Sequence, residues 1–142
     1  MSTTPSFLLI CLFALIPSIS LCQTVDKEGF QVFEYVENDS TYTMKQYFMC
    51  FLKSGEHRSH SDEEAAILQT GHMAHMDSLA QINKIHIAGP FNGDDEFRGI
   101  VIYNVPTLEE AIHCADTDPM IEAGRLQHEI RPIWLAKGST LK

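Results

Sequence analysis

His72 and His75 stand three apart in Gly71-His72-Met73-Ala74-His75-Met76, and Asp116 and Asp118 flank Thr117 just ahead of Pro119. Imidazole is the side chain whose ordinary titration lies nearest neutral pH, so an imidazole held away from water can serve as a general acid or base. Helical projection puts both histidines in the arc that holds Ala65, Leu68, Met76, Leu79 and Ile82, so both point inward. An inward histidine has a plain alternative use, donation to a backbone carbonyl as a packed core residue. Asp118 has one too: an aspartate before a proline is a favoured helix N-cap, with Pro119 in the first helical position. His72 and His75, at i and i+3 and among methionines that bring soft ligands near, could share a metal ion. The chain has no His-Glu-x-x-His pattern and no cysteine pair at zinc spacing, so no metal and no cofactor is expected. It also lacks a glycine-rich phosphate loop and a Gly-x-Ser-x-Gly elbow, which argues against nucleotide and serine-hydrolase chemistry.

The elements that must hold these residues follow from pattern. Residues 47–52, Tyr-Phe-Met-Cys-Phe-Leu, form a continuous apolar run that predicts a strand buried on both faces. Residues 62–83 carry the helical period, opened by Ser61 with Glu64 three positions on, a capping-box signature. Ile85-His86-Ile87 leads into Ala88-Gly89-Pro90, where a strand should end; residues 92–95 are a turn cluster, and 99–105 return as a second strand of the hairpin. Thr107 and Glu110 open another helix, Asp118-Pro119 a short one, and residues 129–135 form the last strand, with Pro132 marking it as an edge or bulge. The order is β-α-β-β-α-β, an α+β split βαβ unit with helices on one sheet face and the other face in need of cover. Gly89 and Pro90 read as structure, Gly124 as a helix end or close approach, Tyr103 as packing or a donor into a cavity, and His128 as a surface, interface or site residue.

Composition bounds the rest. The 142 residues carry 10 Lys and Arg against 19 Asp and Glu, a net charge of −9, and no basic patch shows, so no nucleic-acid partner is expected. Phe7 to Ile16 is unbroken apolar chain followed by Pro17 and small residues, the layout of a secretory leader and too short to span a bilayer. The expected division is a signal peptide over 1–22, a polar linker or loosely docked extension over 23–41, the domain over 42–137 and a tail over 138–142. This predicts a secreted or periplasmic protein with no transmembrane segment after cleavage. Cys22 is a less favoured lipid-anchor position, because Leu21 stands where a lipobox has Gly or Ala. The leader takes two of the four cysteines, leaving Cys50 and Cys114 as buried thiols or one disulfide. Asn38-Asp39-Ser40 fits a glycosylation acceptor if the host is eukaryotic.

Taken together, His72 placed 18 residues before Pro90, Ala88-Gly-Pro90, Asp116-Thr-Asp-Pro119, Ala123-Gly124 and His128 resemble the YciI-like (YCII-related) family. The resemblance covers residues of about 42 to 137 and implies a ferredoxin-like fold that pairs into a dimeric α+β barrel. It also implies that His72 and Asp118 face one cavity as catalytic residues. There a carboxylate would fix the imidazole tautomer and raise its basicity. Asp116 is an alternative carboxylate for that role. The expected function is proton transfer on a small organic molecule, of lyase or isomerase type. The alternative is a ligand-binding or structural dimer module without catalysis, and a His/Met metal-binding protein ranks below both.

Overall fold

The computed structural model describes residues 23–93 and 95–140. The expected signal peptide, residues 1–22, lies outside them. The described residues form β1 (Thr24–Val25), β2 (Gln31–Glu37), β3 (Ser40–Ser54), α1 (Asp62–Gln81), β4 (Ile85–Pro90), β5 (Phe97–Tyr103), α2 (Leu108–Asp116), α3 (Pro119–Glu122) and β6 (Leu126–Ala136). From β3 onward this is the expected β-α-β-β-α-β order with a short extra helix before the last strand. The sheet runs β4-β5-β3-β6 with every neighbour antiparallel. That is the α+β, ferredoxin-like arrangement.

The helix starts follow the capping chemistry in the sequence. Ser61 Oγ accepts from the Glu64 amide at 3.2 Å while Glu64 Oε2 accepts from the Ser61 amide at 2.7 Å, so the box is complete and α1 has two of its orphan donors satisfied. Thr107 likewise accepts from the Glu110 amide at 3.2 Å. Glu110 does not return the bond; its carboxylate pairs with Lys84 at 2.8 Å. At the other end α1 stops at Gln81, and Asn83 turns into the left-handed region at φ 59°. Ile82 therefore leaves the inner arc expected for it and is 61% exposed.

Alternation along β3 sorts the sheet into two faces. Phe48, Cys50 and Leu52 join Val101 and Tyr103 of β5 against Met76 and Leu79 of α1, Ala111, Cys114 and Ala115 of α2, and Met120. Tyr47, Met49 and Phe51 point the other way, beside Ile133 of β6 and Ile100 of β5. Met49, Phe51, Ile100 and Ile133 are only partly covered there. β6 pairs with β3 alone among the described strands. Pro132, opposite Phe48, thus sits on an edge strand, where the missing N–H costs no ladder bond.

Residues 23–41 are not a linker. They form β1, β2 and a tight return into β3, which is more than twice as long as the expected six-residue strand. Glu37 pairs with Ser40, leaving Asn38 and Asp39 as a two-residue loop with φ 46° and 63°. Two positive-φ residues of this kind make the primed turn that matches strand twist, and Asn and Asp are suited to it. Met44 and Lys45 pair with both β2 and β6, so those strands flank β3 on opposite edges and β2 continues the edge that β5 occupies further on. The hairpin is anchored at two points. The Lys45 ammonium lies 3.4 Å from the Phe30 ring centroid and donates to Asn104 Oδ1 at 2.7 Å, and Phe33 meets Trp134 edge to face at 4.8 Å.

Candidate active site

α1 and α3 meet where a glycine and a proline allow close approach. A Cβ on Gly71 would stand 3.2 Å from Pro119 Cγ, so the absence of a side chain at Gly71 brings α3 against the helix one residue before His72. Across that contact His72 Nδ1 lies 2.5 Å from Asp118 Oδ2. The His72 side chain is 12% exposed and that of Asp118 is 3% exposed.

Asp118 fills both roles considered for it, one with each oxygen. Oδ1 accepts from the Met120 amide at 2.8 Å as the N-cap of α3, and Oδ2 faces the imidazole. Burial by itself pushes the carboxyl up. The hydrogen bonds from His72 and the Met120 amide, with the charges of His72 and His75, outweigh it and hold the carboxyl below its ordinary value. The group is therefore a carboxylate at neutral pH and can only accept. It follows that Nδ1 of His72 carries the proton, so that in the neutral form of the ring the free lone pair is on Nε2.

His72 also lines a cleft of about 690 Å³ between α1 and the β4–β5 hairpin. Met73, Met76, Ile85, Met120 and Leu126 supply apolar wall, and Gly89 and Pro90 of the Ala-Gly-Pro run lie on its far side. A cavity of this size fits a small organic molecule. Within it, a neutral imidazole with an oriented Nδ1–H and an open Nε2 is equipped to take a proton.

The other candidates go elsewhere. Asp116 accepts from His128 Nε2 at 2.8 Å on the surface and does not reach His72. His75 Nε2 donates to the Cys114 carbonyl at 2.8 Å, the use open to any inward histidine. The paired histidines thus have separate partners, and among the described residues no three His, Cys, Asp or Glu side chains gather as metal ligands. Tyr103 is packed in the core, 2% exposed, and its hydroxyl is pushed up, chiefly by burial. Gly124, at φ 69°, closes α3 and leaves room for His57, whose Nδ1 would lie 2.8 Å from a Cβ there. Cys50 and Cys114 are free buried thiols. Burial, then the charge of Asp118, pushes Cys50 up to about 12, so it is no nucleophile at neutral pH. Residues that the sequence did not flag also line the cleft, among them Gln69, His86 and the arginines Arg58, Arg98 and Arg125. They come from separate elements and share no spacing.

Residues 46–135 match the YCII-related domain. Among solved structures, a 5-chloro-2-hydroxyhydroquinone dehydrochlorinase from Burkholderia phenoliruptrix AC1100, in complex with 2,5-dihydroxybenzoquinone, is similar at 20% sequence identity and a TM-score of 0.47. The similarity covers 60% of this chain and 90% of that one. No curated protein matches.

Proposed function

The chain belongs to the YCII-related family, and on that premise we propose that it carries out proton transfer on a small organic molecule held in the His72 cleft. The observation that carries this reading is the contact of 2.5 Å between His72 Nδ1 and the buried Asp118 carboxylate. In the reaction, Nε2 of His72 takes a proton from carbon or oxygen of the substrate while Asp118 holds the ring orientation and offsets the charge of the imidazolium. Return of the proton at another atom of the substrate gives an isomerisation, and loss of a leaving group from the neighbouring atom, with the proton passed from Nε2 to that group or to solvent, gives an elimination.

Solvent exchange tests it. Small cyclic acids, lactones and phenols are incubated with the protein in deuterated water, and loss of a carbon-bound proton is followed by NMR. Wild-type protein should catalyse exchange in at least one class, and His72→Gln should slow it by about 10²–10⁴-fold. Exchange unaffected by His72→Gln contradicts the assignment.

The cap bond from Met120 to Asp118 favours a second reading, a non-catalytic module in which the pair only fastens α3 to α1. On that reading His72→Gln lowers stability and changes no ligand response. Two wider features complete the proposal. A second copy covers the partly exposed Met49, Phe51, Ile100 and Ile133 face, as in a dimeric α+β barrel, and light scattering showing a monomer would contradict it. The chain is exported with Gln23 as its first mature residue, which N-terminal sequencing of the processed protein checks.

A further inference from the structure

The chain has four arginines, and three of them, Arg58, Arg98 and Arg125, line the His72 cleft. The fourth, Arg131, pairs with Glu129 at 2.8 Å on β6. Among the described residues, one carboxylate, Asp77, faces the same cleft and no lysine does. In a chain of net charge −9, this gathers positive charge in the cleft that His72 lines. Arg98 is engaged with its own turn, donating to the Asp95 carbonyl at 3.5 Å. Arg58 is braced by a bond of 3.2 Å from its guanidinium to the Arg125 carbonyl. The Arg125 backbone is fixed as well: its amide donates to Met120 and its carbonyl accepts from Gly55, both at 2.9 Å. Arg125, half-buried, therefore extends from a fixed backbone in the turn between α3, which Asp118 caps, and β6.

We infer that the cleft selects a small organic anion, a carboxylate or an ionised enol or phenol, and that Arg125 is its anchoring residue with Arg58 beside it. This rests on the reading of the cleft as a small-molecule site. A guanidinium fork matches two oxygens of a planar anion and keeps its charge at any pH of interest. The apolar side of the cleft, Met73, Met76, Ile85 and Leu126, takes the carbon body. A long polyanion does not fit, because the negative surface outside the cleft repels it. The arrangement also suits the chemistry, since positive charge fixed near His72 favours an oxyanion that develops when a neighbouring proton leaves.

The test uses the full protein with benzoate and its uncharged isostere benzamide, reading the His72 ring resonances and the Met73 methyl by NMR. Benzoate should shift both, and benzamide should bind about tenfold more weakly or worse. Arg125→Gln should weaken benzoate by about tenfold and leave benzamide unchanged, which also reports that the fold is intact. Equal binding of the two probes, no benzoate response at His72, or benzoate affinity unmoved in both Arg125→Gln and Arg58→Gln overturns the inference. His72→Gln separates it from the proton-transfer proposal: benzoate selectivity should survive that substitution, read at Met73, while solvent exchange is lost. Charge selectivity without any exchange would leave the anion site standing and remove the catalytic reading, and exchange without charge selectivity would do the reverse.

Discussion

The Asp116-Thr117-Asp118 run holds two histidine–aspartate pairs of the same chemistry in opposite surroundings. His128 and Asp116 meet at 2.8 Å with the aspartate 57% exposed, whereas His72 and Asp118 meet at 2.5 Å with the aspartate 3% exposed. Water solvates the first pair and screens it, so its contact is worth little. The second pair has lost its water, and every lone pair that Asp118 uses must be met by a protein donor. The Met120 amide and His72 meet them, so the same carboxylate fixes the helix, the ring and the tautomer. What separates the buried pair from the surface contact is the second, structural bond on the carboxylate and the burial that makes it necessary.

Truncating each aspartate should give the widest separation. Asp118→Ala removes a cap and leaves a buried imidazole nitrogen without its partner, at a cost of about 2–3 kcal/mol in urea unfolding. Asp116→Ala should stay within about 0.5 kcal/mol. Equal losses would erase the distinction. A double-mutant cycle sharpens it: His72→Ala with Asp118→Ala should show a coupling of about 1–2 kcal/mol, and His128→Ala with Asp116→Ala one below about 0.5 kcal/mol.

Acid titration gives a smaller, directional difference. The folded Asp118 carboxyl sits below its unfolded value, so its contribution is fully present above the unfolded carboxylate range, near about pH 4, and is lost as pH falls through the lower folded value. Asp118→Asn should flatten the acid limb of the stability profile, and Asp116→Asn should leave it unchanged. An acid limb identical in all three proteins would show that Asp118 is not held ionised by its partners.

The sequence made part of this legible for physical reasons. Helical phase turned His72 and His75 inward, and the Asp-Pro step placed Asp118 at a cap. The choice between Asp116 and Asp118 was closed to it, because α2 ends at Asp116 and the backbone direction that follows is set by packing, notably Gly71 against Pro119. Arg58, Arg98 and Arg125 were hidden because they converge from a loop, a strand and the turn between α3 and β6. The N-terminal strands escaped notice because most of β2 faces solvent, which removes the apolar alternation. Its one local signal, Asn38-Asp39 as a primed turn, coincides with the Asn38-Asp39-Ser40 glycosylation pattern, which explains the same residues without a strand on either side.

The most direct test of the central claim is the protonation pattern of the His72 ring, read by nitrogen-15 NMR at neutral pH with His72→Gln to assign it. The claim that Asp118 orients a base predicts that the neutral form of the ring has its proton on Nδ1 and an unprotonated Nε2, an arrangement lost in Asp118→Asn. A proton on Nε2 with a bare Nδ1 facing Asp118 would contradict it.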